Sequence, residues 1–235
     1  MASFKAIQDR VKRRVIDLPA DTVTEIPLLI NDAIGEAEAR HDFKAQEAEF
    51  AATTAEGVRK LADVPARWRK PRRVPYLRQG EDGLTGTARI KWASSLDEML
   101  KRFKLDDTAD DGEPQYVLLE VGGTELWTFP FPDAASQWDD GDYRVVVPYW
   151  RSLADLSADG DTNWFTDNAE DYLITRATSE AFMLNWDEER GTFWLGKATQ
   201  QFKIIRRLDA LLRYGTGGTL AISADAAGPS PPGEA

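Results

Sequence analysis

Cysteine is absent from the 235-residue chain, and histidine occurs once, at position 41. The first absence excludes disulfides, thiolate metal sites and a cysteine nucleophile. The second excludes a histidine-rich metal centre and leaves His41 as the sole imidazole for a Ser–His–Asp arrangement. His41 sits in a polar stretch that reads as helix, where an ordinary surface histidine is expected. No apolar run reaches the roughly 20 residues that a membrane helix needs, and the opening residues, MASFKAIQDRVKRRV, lack the apolar core of a signal peptide. The expectation is a protein made in a cytoplasm, with no membrane segment. There is no GxSxG elbow, no HExxH pair and no phosphate loop. The glycines of VGGT and GTGG lack both a following Lys and a strand–loop–helix setting, so they read as turns. Neither an enzyme nor a bound cofactor or metal is expected.

What is present is a 42% hydrophobic composition, enough for a real core, and a net charge of −11 that is unevenly spread. Residues 1–105 carry 20 Lys and Arg against 16 Asp and Glu, residues 106–171 carry 2 against 17, and residues 172–235 carry 7 of each. The middle third is an acidic block, which repels nucleic acid and phosphate. It reads as solvated loops or as a surface that meets a basic partner or faces DNA without gripping it.

Periodicity places the elements. Phe4, Ile7, Val11 and Val15 form one helical stripe over 3–16. A second helix is expected from Thr22 or Thr24, with Pro27 in its first turn and a continuation to about Phe50. From Gly57 the pattern turns extended, through a basic, proline-bearing stretch, GVRKLADVPARWRKPRRVPYL. SSLDEMLKRFKL reads as a short helix capped by Ser95. QYVLLEV and ELWTFPF, separated by Gly122-Gly123-Thr124, read as a hairpin, and DYRVVVPYWRSL as a third strand of one small sheet. Asn168 with Asp171 is expected to cap a helix carrying Tyr172, Leu173, Ala177, Ala181, Phe182 and Leu184. A last helix from about Asp187 to Tyr214 carries the stripe Phe193, Leu195, Phe202, Ile205, Leu208, Leu211 and Leu212. The expected fold is α+β: a bundle of N- and C-terminal helices with an inserted small, mostly antiparallel β lobe. Its parts are helices in 1–56, a β-rich insertion in 57–165, helices in 166–215, and a flexible tail, 216–235, that docks on a partner.

Three stretches bear on chemistry. DGDTNWFTDNAE puts Asp159, Asp161, Asn163 and Glu170 at the ligand spacing of an EF-hand loop, but Trp164 stands where the sharp turn requires Gly, so a polar turn leading into a helix is expected. Asp139, Asp140, Asp142, Asp159 and Asp161 offer carboxylate pairs of the kind a glycosidase uses, yet clustered acids in turns single out no acid with a raised pKa. Arg67, Arg69, Lys70, Arg72 and Arg73, interleaved with Trp68 and Tyr76, could meet a single strand or the acidic surface of a neighbouring copy; the alternative is an edge strand whose charges prevent aggregation. Trp127, Trp138, Trp150 and Trp164 crowd the sheet and are expected mostly in the core.

From ELWTFPFPD onward the order of segments resembles the head–tail adaptor, or connector, family of tailed phages. The resemblance rests on Phe129-Pro130-Phe131-Pro132-Asp133, the strand YRVVVPYWRSL, the turn LSADGDTNWF and the two helices after it; EGVRKLADVPARW matches more loosely. It implies a structural virion protein at the head–tail interface. Copies would form a homo-oligomeric ring, twelvefold when assembled, that docks on the portal protein and extends the DNA channel. The ring would offer a platform to tail, nozzle or stopper proteins, and DNA would pass without specific binding. Under the resemblance, the end of the last helix, with Arg206, Arg207, Leu211, Leu212 and Tyr214, docks on the portal. Arg67, Arg69, Lys70, Arg72, Arg73, Asp139, Asp140, Asp142, Asp159 and Asp161 become candidates for subunit contacts or a negative lumen. The competing expectations are a tail-associated peptidoglycan hydrolase and a carbohydrate-binding module.

Overall fold

A computed structural model of the chain describes residues 2–79, 85–103, 112–120, 122–132 and 143–214. Ser3 opens the first helix: its hydroxyl accepts the Ala6 N–H at 3.3 Å, and α1 runs Phe4–Arg14 with Phe4, Ile7 and Val11 buried. α2 spans Ala20–Arg40 after Pro19. Pro27 lies inside it rather than in the first turn. The helix ends ten residues before Phe50. Beyond it come a 3₁₀ turn, Lys44–Gln46, and strand β1, Glu47–Thr53. AEARHDFKAQEAEF is rich in good helix formers, so propensity alone favours helix, and tertiary strand pairing overrides it.

The extended segments that follow are β2 (Lys60–Asp63), β3 (Trp68–Pro71), β4 (Tyr76–Gln79), β5 (Thr85–Arg89) and β6 (Lys91–Trp92). Then come α3 (Leu96–Arg102), β7 (Tyr116–Leu119), β8 (Glu125–Phe129) and β9 (Arg144–Arg151). They form two sheets rather than one. In the first, β9 is central: β1 pairs along one edge, while β4 and β3 share the other, and β5 extends beyond β4. The second has the order β2-β8-β7-β6, with the expected hairpin β7–β8 at its middle. Alternation along β9 sends Val145 and Val147 between the sheets, where they meet Leu77, Val117 and Leu126. α3 is capped by the Ser95 hydroxyl and closes the far side of the second sheet, burying Met99 against Tyr116, Leu118 and Phe129.

After β9 the chain returns to helix with α4 (Trp164–Asn168), α5 (Glu170–Leu184) and α6 (Glu188–Tyr214). The expected cap of α5 at Asn168 is not formed: α5 starts after Ala169 with no side-chain cap, and the capping box belongs to α4, where Asn163 Oδ1 accepts the Phe165 and Thr166 N–H groups and the Thr166 hydroxyl accepts the Asn163 N–H. α5 buries nearly its whole circumference, as a helix of small and apolar residues does when neighbours surround it. Its hydroxyls satisfy themselves on backbone carbonyls, Thr178 on Ile174 at 2.6 Å and Ser179 on Gly191 at 2.8 Å. α1, α2, α5 and α6 share one core that includes Phe4, Ile30, Leu173 and Phe202, so the helices from both ends of the chain do join in a single bundle. α5 turns into α6 through a Schellman arrangement, the Trp186 N–H bonding to Met183 O and the Asp187 N–H to Phe182 O. Its left-handed position, φ 60°, is held by Trp186, whose side chain lies in solvent.

α6 buries only part of the expected stripe. Phe202 and Ile205 face inward, together with Gly191, Ala198 and Asp209, Leu195 and Leu208 are half-buried, and Phe193, Leu211 and Leu212 are exposed. A Cβ on Gly191 would stand 2.8 Å from Met183 Sδ, so this glycine permits the close approach of α5 and α6, and small residues take the inward face there. Polar groups join the bundle to the sheets. The Asn31 amide exchanges two 3.0 Å hydrogen bonds with the backbone of Leu156. Glu38 Oε1 accepts the Leu153 N–H at 2.8 Å, and Arg69 donates to the Glu38 carbonyl at 2.5 Å. Among the described residues no helix is long and apolar enough to cross a membrane.

Candidate interaction surfaces

The basic stretch divides in two. Arg69, Lys70 and Arg72 are turned toward their own chain: Lys70 pairs with Asp42 at 2.8 Å, Arg69 reaches the same carboxylate at 3.8 Å, and Arg72 pairs with Glu47 at 2.5 Å. The Arg72 guanidinium also lies 5.5 Å from the Trp150 ring centroid. Arg67 and Arg73 are exposed. Arg67 occupies a left-handed turn, φ 63°, from which its carbonyl accepts the Ser152 N–H. Trp68 stacks on Tyr149 at 4.8 Å between centroids, so it serves packing rather than an open stacking platform.

Arg73 contributes to an open groove of about 710 Å³ on the outer face of the first sheet. Leu77 points into the core, so its neighbours Tyr76 and Arg78 point out. Strand pairing sets Arg89 opposite Tyr76 and Arg144 opposite Arg78. Residues in direct register share a face, so two guanidinium-bearing side chains stand on one surface in a like-charge pairing that is unfavourable by itself. Glu49 belongs to the groove too and accepts the Tyr76 hydroxyl at 3.4 Å. Burial, and then that carboxylate, push the Tyr76 hydroxyl up from its ordinary pKa. Among the described residues no carboxylate lies within ion-pair distance of Arg73, Arg78, Arg89 or Arg144.

The end of α6 presents a mixed surface. Arg206, Arg207, Leu211, Leu212 and Tyr214 are all exposed, Tyr214 at 68%. The inward side is anchored by Asp209, whose buried carboxylate lies 2.9 Å from His41 Nε2 and accepts the Lys44 N–H at 2.6 Å and Arg213 Nε at 2.9 Å. His41 is therefore not a free surface histidine. It ties the turn after α2 to α6 and packs edge-on against Phe43.

The stretch with EF-hand spacing is a turn, as expected. Asp161 accepts the Ser157 N–H at 2.7 Å, the Ala158 N–H at 2.8 Å and the Ser157 hydroxyl at 3.1 Å, and the Ala158 and Ser157 backbone bonds hold its pKa below the usual carboxylate range. Asp159 pairs with Lys5 at 3.2 Å, and its carbonyl accepts the Lys5 N–H. Asp139, Asp140, Asp142 and Trp138 lie outside the described residues. Trp150 is buried, and Trp127 and Trp164 are half-buried. The groove residues Arg78 and Arg89, and Arg144 across from Arg78, escaped the sequence reading. The available signal was the outward phase of β4, with Arg on the same face as Tyr76.

The described residues form a two-part frame of bundle and sheets with open, charged outer surfaces. The frame belongs to a family of adaptor proteins: residues 2–220 match the model of the SU10 adaptor protein, and the chain belongs to this family. It is a structural adaptor of a bacteriophage virion, of a kind that is typically not enzymatic. No curated protein matches the chain.

Proposed function

We propose that this adaptor works at the head–tail interface. Copies assemble as a twelvefold ring on the portal protein, extend the DNA channel and give tail, nozzle or stopper proteins their attachment platform. The family match over residues 2–220 is the observation that carries the reading. The exposed end of α6 supports it as the docking element. Arg206 and Arg207 supply charge, while Leu211, Leu212 and Tyr214 supply apolar area at the rim of a firmly anchored helix. In this reading the helices of 1–56 and 166–215 face the portal with the tail 216–235, and the insertion 57–165 carries the acidic block toward the channel. A negative lumen lets DNA slide without sticking.

Quantitative mass spectrometry of purified virus particles tests the placement. A fixed ratio near one to one with the portal protein is expected, and absence from particles with abundance in the lysate overturns it. Cutting the chain after Tyr214 tests the tail's part in docking. Loss of portal binding is expected, and normal binding by the truncated chain refutes that part.

A further inference from the structure

The outer face of the first sheet is charged against its own stability. Arg78 and Arg144 are direct cross-strand partners, Arg89 stands opposite Tyr76 on the other side of β4, and Arg73 joins them at the groove. Elsewhere in the same basic stretch every arginine or lysine that has a carboxylate in reach takes it, as Arg69, Lys70 and Arg72 do. At the groove Arg72 is held by Glu47, but Arg73, Arg78 and Arg89 have no such partner among the described residues, and Glu49 is engaged by the Tyr76 hydroxyl instead. A planar guanidinium presents paired N–H donors that fit a carboxylate two at a time, so a cluster of them on a fixed strand pair is a receptor for closely spaced carboxylates.

The chain supplies such a ligand itself. Residues 105–113 contain Asp106, Asp107, Asp110, Asp111 and Glu113 and no cation, the densest acidic run in the sequence. DNA is the weaker match, because the molecule as a whole carries −11 and would be repelled at long range. We infer that the arginine groove of one copy binds the acidic run 105–113 of a second copy, a heterologous contact whose repetition closes a ring. The inference rests on the ring assembly proposed above and names the contact that builds it.

Two charge-reversed chains test it. One carries Arg78→Glu and Arg89→Glu; the other carries Asp106→Lys, Asp107→Lys and Asp110→Lys. Sedimentation velocity at low salt is expected to show association of the wild-type chain beyond a dimer, weakened by added salt. Each variant alone should stay monomeric, its dissociation constant raised at least about tenfold. Mixed together, the two should form a one-to-one pair and stop there, since only one of the two possible contacts survives. The circular dichroism spectrum of each variant should match the wild type, because the groove substitutions lie on an outer face and the first one removes a like-charge pair. The inference is overturned if the wild type stays monomeric at low salt, if either variant associates as the wild type does, or if the mixture stays monomeric. Overturning is equally clear if a duplex DNA oligonucleotide, and not the second copy, is what the groove substitutions release. A chain that is stoichiometric with the portal in particles, while its groove variants still assemble, leaves the ring standing and sinks this contact alone. Absence from particles removes the ring itself.

Discussion

Replacing Asp209 with Ala should lower stability by about 3 kcal/mol. The carboxylate is 1% exposed and stands within 2.6–2.9 Å of three partners, His41 Nε2, the Lys44 N–H and Arg213 Nε. A hydrogen bond to a charged group contributes about 1.5–3 kcal/mol, and a donor stripped of its partner away from water costs about 1–3 kcal/mol. Relief of the carboxylate's own desolvation offsets part of this loss, which brings the net near the lower end of the roughly 3–5 kcal/mol seen when one member of a buried pair is removed. At about 2–4 °C per kcal/mol for a domain of this size, the melting temperature should drop by roughly 6–12 °C. Asp209→Asn keeps an acceptor for the Lys44 N–H and should lose about half as much. Thermal unfolding followed by helical circular dichroism measures both. A melting temperature for Asp209→Ala within about 2 °C of wild type would refute the claim that this cluster fastens α6 to the turn after α2.

Burial pushes the Glu38 carboxyl up from its ordinary value of 4.5. The folded state then keeps a proton that the unfolded chain has released, so the group's contribution to stability falls as pH rises from 4.5 through the folded value. Glu38→Gln retains an acceptor for the Leu153 N–H and should flatten this decline in urea midpoints measured across pH; parallel curves for the two chains would contradict it. Trp186→Gly replaces a left-handed, solvent-exposed Trp with the residue that turn prefers and should stabilise by about 1 kcal/mol; a lower melting temperature would show that Trp186 packs in the free molecule. Leu77→Ala empties a site between the sheets and should cost about 2–5 kcal/mol in chemical denaturation, against a cost near zero if the sheets do not share a core. Leu211→Glu with Leu212→Glu should leave the melting temperature unchanged and abolish portal capture; unchanged capture would move docking off α6.

The elements with one consistent local signal were legible in the residues. α1 and α3 have both a stripe and a serine cap, the β7–β8 hairpin has its Gly-Gly turn, and β9 has its β-branched run. The errors lie where distant partners decide. AEARHDFKAQEAEF has helical propensity, yet its second half becomes β1 because β9 offers a ladder that nothing local announces. The hairpin and β9 look like neighbours in one sheet, and only the pairing of β9 with β1, β3 and β4 separates them. The inward phase of α6 is set by how closely Gly191 and Ala198 let α5 approach, so apolar Phe193, Leu211 and Leu212 were assigned inward by type and ended outside. Asn168 was expected to cap α5, but the short α4, boxed by Asn163 and Thr166, takes up Asn168 as its last residue, and α5 follows Ala169 with no side-chain cap. In the surfaces, charge was legible as composition. Arg78, Arg89 and Arg144 become one feature only through strand register, and His41 acquires its role from Asp209 on a helix far along the chain.

The pairing of β1 with β9 also fixes when the molecule can fold. The first sheet has no centre until β9 has been synthesised, and the helical core has no middle until α5 follows it. β1 is therefore made long before the strand it pairs with, and α1 and α2 have only each other until α5, to which both pack, has been made. A chain cut short before α5 would leave the inward face of α2 only partly covered.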